Sequence, residues 1–182
     1  MHVKGTGWLA RHSAMEQEFG AARWAAFLER QRPYAPFLNA PVMQISRIPV
    51  EPFLRVHDAL VEEFYRGDQK AYWRFGETSA QWALANQLRG LFAPHEARRF
   101  LQFSPTIYKG YFDGGSLQTE TTPTSVDLII RGVEPRHVYF EYSIVGFAVG
   151  GLRVLEAPVT PELIAGFSKG DAEVRYRFVV SN

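Results

Sequence analysis

Chemistry in this chain has to be sought among histidines, carboxylates, arginines and aromatic rings, because it contains no cysteine. That absence removes disulfide frameworks, thiolate zinc sites, iron–sulfur clusters and a cysteine nucleophile together. The five histidines, His2, His12, His57, His95 and His137, include no pair at the i, i+3 or i, i+4 spacing that lets one helix face chelate a metal, so no metal site is expected. His12 shares an apolar helical stripe with Trp8, Met15 and Phe19, where a histidine satisfied by one hydrogen bond is the plainer reading than a ligand. Glu62 and Glu63 are adjacent on a helix and point apart, which does not make an acid/base dyad. No serine sits in a nucleophile elbow, and Gly110, Gly114 and Gly115 match neither a phosphate loop nor a dinucleotide fingerprint. A general base could come only from His137 or His12 beside a carboxylate, with no nucleophile and orienting group to complete a set. The expectation is a protein without catalytic activity.

Charge points away from polyanions. Lys and Arg total 20 against 19 Asp and Glu, a formal net charge of +1, and neither Arg98-Arg99 nor the Arg175/Arg177 strand face carries a surrounding basic field. These arginines read as solvated surface, and nucleic acid is not an expected partner. The aromatic set is the strongest compositional feature, with 14 Phe, 8 Tyr and 4 Trp among 182 residues. An aromatic-rich core is its simplest explanation, while several tyrosines and tryptophans converging on one cavity would suit a planar or amphipathic ligand.

The elements that must position these residues can be read from periodicity. Trp8, His12, Met15 and Phe19 mark a first helix broken at Gly20, and Trp24, Phe27 and Leu28 mark a second over 21–30. Prolines 33, 36 and 41 then impose an extended loop. Phe53, Val56, Leu60 and Phe64 line a third helix ended by Gly67, with Asp68 as the expected N-cap of a fourth carrying Tyr72, Phe75, Ser79 and Trp82. Pro94 opens a helical stretch through Leu101, and Ser104-Pro105 reads as the cap-and-proline start of another through Phe112. The period then changes to two. Leu117, Thr119 and Thr121, a Thr122-Pro123-Thr124 turn, and Val126, Leu128 and Ile130 form a hairpin. His137 to Leu155 reads as a long buried helix whose apolar run, Tyr142 to Leu152, is short of the ~20 residues that span a membrane. Its Gly146 and Gly150 lie on one face and let a backbone approach a sheet, a ligand or another subunit. Ile164 and Phe167, a turn at 168–171, and Val174, Tyr176, Phe178 and Val180 give a second hairpin. The fold class is therefore α+β, with a four-stranded, mostly antiparallel sheet. One domain over 1–182 is expected, helical through 113 and sheet plus long helix over 114–182. The opening Met1 to Trp8 has neither an apolar core nor a cleavage site of a secretory signal, so a cytoplasmic protein that makes no membrane contact is expected.

The segments Val3-Lys4-Gly5-Thr6, Phe19-Gly20 with Trp24, Tyr72-Trp73-Arg74-Phe75-Gly76 and His137-Val138-Tyr139-Phe140-Glu141-Tyr142 resemble an uncharacterised family of myxobacterial paralogues of similar length. That resemblance implies a cytoplasmic regulatory protein and carries no assigned activity. The element order also resembles the haem-nitric-oxide/oxygen-binding domains and the related vinyl-reductase-type small-molecule-binding domains. Those folds imply a pocket enclosed by helices and sheet, but fold does not fix function. In the haem domains a histidine on the helix before the first hairpin ligates iron; Ser104 to Phe112 here contains none, and Tyr108 is the nearest match. Tyrosinate can ligate ferric haem. The Tyr-x-Ser-x-Arg motif that holds haem propionates there is reduced here, over Ile130 to Arg136, to Arg136 alone.

These readings converge on a regulatory domain that binds a small hydrophobic or planar ligand, or a protein partner, as a homodimer. Trp8, His12, Tyr72, Phe75, Tyr108 and Tyr111 are the candidate pocket residues, with Arg136 as anchor for an anionic group. No cofactor is expected; a haem sensor using Tyr108 is one alternative and a pure protein-interaction module another. Dimerisation rests on the Gly146/Gly150 face and on the free edges that a four-stranded sheet must manage.

Overall fold

The computed structural model describes residues 1–180, and the chain divides into two compact units. The first comprises Met1–Asp68 with Gly110–Asp113; the second runs over Gln69–Lys109 and resumes at Gly114.

The first unit opens with β1 (His2–Lys4), α1 (Gly5–Phe19) and α2 (Ala21–Gln31), then two short 3-10 turns, β2 (Arg47–Pro49) and α3 (Val50–Tyr65). Strands β1 and β2 pair antiparallel, Val3 opposite Ile48, and both side chains are buried. Three-residue strands are too short to show alternation, so this pair was not visible in the sequence. Helix α1 starts at Gly5, whose N–H donates to the Ser46 carbonyl at 2.8 Å. A Cβ at Gly5 would lie 1.8 Å from the Met43 carbonyl oxygen, so no other residue fits there without moving the loop. Gly20, at φ 86°, separates α1 from α2 as its spacing predicts. Trp24 and Phe27 of α2 and Phe53, Val56 and Leu60 of α3 are fully buried. Arg66 (φ 56°) and Gly67 (φ 76°) end α3 in the left-handed region.

The second unit contains α4 (Ala71–Ala85), nearly all of α5 (Ala97–Tyr111), β3 (Ser116–Thr121), β4 (Ser125–Arg131), α6 (Val138–Val154), β5 (Glu162–Ala165) and β6 (Val174–Val179). Two expected helix starts are corrected. Asp68 stands in a turn, its N–H donated to the Tyr65 carbonyl at 3.1 Å, and α4 begins at Ala71 with no side-chain cap. Ser104-Pro105 starts nothing, because α5 is one helix with Pro105 inside it. Pro105 supplies no N–H to the Leu101 carbonyl one turn earlier, and the Ser104 hydroxyl donates to the Phe100 carbonyl at 3.4 Å.

The sheet is antiparallel throughout, in the order β3-β4-β6-β5. The two alternating series meet directly across it: Val126 opposes Phe178, Leu128 opposes Tyr176, and Ile130 opposes Val174. All are buried, and cross-strand apolar pairs of this kind pin the register. Arg98, at the start of α5, donates to the carbonyls of Thr122 (2.8 Å), Pro123 (2.7 Å) and Val180 (3.1 Å), tying the helix to the first hairpin turn and the end of β6.

Helix α6 crosses α4 at backbone contact. A Cβ on Gly76 would lie 2.1 Å from the Ser143 carbonyl oxygen, on Gly146 2.2 Å from that of Trp73, and on Gly150 2.6 Å from the Glu77 Cα. The glycine face of α6 is therefore taken up by α4. His137 caps α6, its Nδ1 accepting the Tyr139 N–H at 3.1 Å, so the helix starts at Val138, one residue after the expected His137.

Candidate functional site

The sequence-selected residues fall into both units. In the first, Trp8 is buried at the centre of a ring cluster built by α1, α2, α3 and the second 3-10 turn, Pro36–Asn39. Its indole meets Phe37 edge-on at 5.1 Å and His57 at 6.1 Å, and is tilted against Trp24 at 6.1 Å. His12 belongs to the same cluster, 6.4 Å from Trp8 and 5.9 Å from Trp24 between ring centroids. It reaches the half-exposed edge, with Nδ1 3.5 Å from a Glu16 carboxylate oxygen. Tyr111 is half-buried, its ring 3.4 Å from where a Cβ of Gly7 would stand.

In the second unit, Tyr72 and Phe75 are buried and meet edge-on at 5.9 Å. Two rings from the start of α6 complete this cluster, His137 at 5.8 Å and Tyr139 at 5.6 Å from Tyr72. Tyr108 is buried on α5, and its hydroxyl donates to the Gly114 carbonyl at 2.7 Å. Burial pushes its pKa well above the ordinary phenol value. Arg136 is exposed, with Nε 3.6 Å from a Glu134 carboxylate oxygen. Periodicity thus selected two real ring clusters, one on Trp8 and one on Tyr72. It did not select His57 and Phe37. His57 lies on the inner face of α3 one turn from Phe53, and that placement on an apolar face was the available signal.

Two buried carboxylates were also missed. Glu141, in the first turn of α6, is fully buried and accepts the Ser168 N–H (2.7 Å), the Ser168 hydroxyl (2.7 Å) and the Tyr176 hydroxyl (2.9 Å). Burial, followed by this bond to Glu141, raises the Tyr176 pKa. Asp127, on β4 and 3% exposed, accepts from Arg175 at 2.6 Å and 2.8 Å and from Arg177 at 2.9 Å and 3.0 Å. Burial alone would raise its carboxyl pKa; the hydrogen bonds from Arg177 and Arg175 more than offset this and hold it below the ordinary carboxylate range. The two strand arginines therefore clamp a buried aspartate instead of merely facing solvent. A charged residue inside the apolar series of β4, directly opposite Arg177, was the signal for it.

Among the described residues, no group of three or more His, Asp or Glu side chains could hold a metal ion. No described helix is long and apolar enough to cross a membrane.

No family model matches the chain, and no curated protein matches it. Solved structures do. An H-NOX protein from S. oneidensis in the Fe(II)NO ligation state superposes with a TM-score of 0.78 at 10% identity, over 98% of this chain and 99% of that one. A variant of the Fe(II) unliganded H-NOX protein from K. algicida gives 0.72 at 12% identity, over 98% and 97%. A variant of Tt H-NOX gives 0.75 at 13% identity, over 98% and 95%. The resemblance first seen in element order is thus a likeness of fold extending over nearly the whole chain, and the chain has the fold of these H-NOX proteins.

Proposed function

We propose that this protein is a non-enzymatic regulatory domain of H-NOX fold that binds a small hydrophobic or planar ligand through aromatic contacts, without an iron ligand from α5. The observation that carries the reading is the state of Tyr108. Helix α5 precedes the first hairpin and contains no histidine, so Tyr108 is the residue to which an iron-ligating role would pass. Its hydroxyl is committed to the Gly114 carbonyl, and burial opposes the phenolate that ferric iron requires. The H-NOX structures cover Fe(II) and Fe(II)NO states, and the donors of α5 here do not fit that chemistry. The ring cluster on Trp8, with His12 supplying a polar edge, and the ring cluster on Tyr72 are two separate candidate ligand contacts, each within its own unit.

Native mass spectrometry of the purified protein beside its denatured mass tests the proposal. A mass excess that disappears on denaturation is expected, and its value identifies the ligand class. Hemin addition should give no Soret band that depends on Tyr108. A Soret band lost in Tyr108→Phe would overturn this reading in favour of a tyrosinate-ligated haem sensor. A bare polypeptide mass, together with no response to hydrophobic or planar compounds, would leave a protein-interaction module. A cytoplasmic location and a homodimeric state belong to the same proposal. Because α4 occupies the glycine face of α6, a homodimer would have to use another surface, and a monomeric mass by light scattering would remove it.

A further inference from the structure

The C-terminal end of α6 and the chain that follows it form an open groove of about 210 Å³, lined by Trp73 of α4, Val149 and Arg153 of α6, and residues 158–161. Its polar wall is organised around one atom. Glu77 Oε1 accepts the Trp73 indole N–H at 3.1 Å and Arg153 Nη1 at 2.7 Å. The first bond fixes the tilt of the indole, whose ring centroid lies 6.5 Å from that of Tyr142 and 6.2 Å from that of Tyr176. The second fixes one nitrogen of a guanidinium that is otherwise 59% exposed. Among the described residues, the rest of that guanidinium donates to no protein acceptor, and neither do the backbone N–H groups of Val159 and Thr160. The lining also includes Pro158 and Pro161, whose rings fix φ, so little ordering remains for a ligand to impose.

An indole face and two prolines suit an apolar, flat body. A half-used guanidinium fork suits a carboxylate, which Arg binds bidentately. The volume lies below the ~300–1,000 Å³ of drug-sized pockets, which favours one ring with a short acid chain over a peptide.

We infer that this groove is a binding site for small aryl or alkyl carboxylates, with Arg153 pairing the acid and Trp73 stacking the body. It uses none of the residues assigned to the proposed function, so either can fail without the other.

Titration of the full chain with 3-phenylpropionate, followed by nuclear magnetic resonance, tests the site. The indole N–H of Trp73 and the amides of Val159 and Thr160 should shift saturably. The uncharged control 3-phenylpropanol, tested on the unaltered protein, should bind at least about tenfold more weakly, as should 3-phenylpropionate to Arg153→Met, since a charge-assisted pair has been lost in each case. The absence of saturable shifts at these three positions would overturn the proposal. So would equal binding of the alcohol, or unchanged affinity in the variant.

Discussion

A tyrosine that ligates ferric iron does so as the phenolate, so its surroundings must favour loss of the proton. Tyr108 has the reverse environment: a buried ring and a hydroxyl that donates to the Gly114 carbonyl at 2.7 Å. Its evident work is to hold the turn after α5. Tyr108→Phe should therefore cost about 1 kcal/mol of stability, the usual net worth of such a bond, measured by urea unfolding. Asp127 gives a second prediction at this scale. Its folded pKa is depressed by Arg177 and Arg175 against the effect of burial, so the stability it contributes is present above the unfolded value, about 3.9, and is lost as pH falls through the lower folded value. Asp127→Asn should lower stability at neutral pH and flatten the acid limb of the stability profile. An unchanged acid limb in urea melts below pH 4 would show that the clamp contributes little.

Glycines at a helix crossing give opposite expectations depending on what lies against them. On a free face, Gly146→Ala would stabilise α6 by ~1 kcal/mol through helix propensity. Here the added Cβ would meet the Trp73 carbonyl oxygen at 2.2 Å, and a backbone atom cannot rotate away. Net destabilisation by about 1–3 kcal/mol is expected, and thermal unfolding of the single variant decides between the two. The small-residue spacing in α6 was legible in the sequence, but its occupant was not: that α4 supplies the partner depends on Gly76, sixty-odd residues earlier, being brought opposite Ser143. The two hairpins were legible because each buried series, from Val126 to Ile130 and from Val174 to Phe178, alternates over enough residues to fix a period. Ser104-Pro105 was misread because a Ser-Pro pair carries the same local signal at a helix start as inside a helix that tolerates it. The ring clusters were half legible: Trp8 and His12 share a stripe, whereas Phe37 and His57 join them only through tertiary packing.

At the scale of the whole chain, the likeness to known proteins is one of fold. Nearly all of the chain superposes on H-NOX proteins at 10–13% identity, while the helix before the first hairpin has no histidine and the hydroxyl of its Tyr108 donates to the Gly114 carbonyl. The fold could be anticipated because element order is carried by periodicity and turn residues, which survive extensive substitution. Function is carried by a few side chains, which periodicity does not report. If the proposed reading holds, any effect of hemin on the thermal midpoint should be the same in Tyr108→Phe, whereas a ligand recovered by native mass spectrometry should raise the midpoint in a concentration-dependent way.

The strand order has a consequence for synthesis. Strand β6 is made after β3, β4 and β5, yet it lies between β4 and β5. Until it leaves the ribosome, β4 has one open edge bearing Val126, Leu128 and Ile130, and β5 has no neighbour in the sheet. During that interval the nascent chain displays an unpaired apolar edge of the kind that recruits chaperones or other chains. Insertion of a single late strand then closes both gaps at once, so the β3–β4 hairpin and β5 should join into one sheet in a single late step.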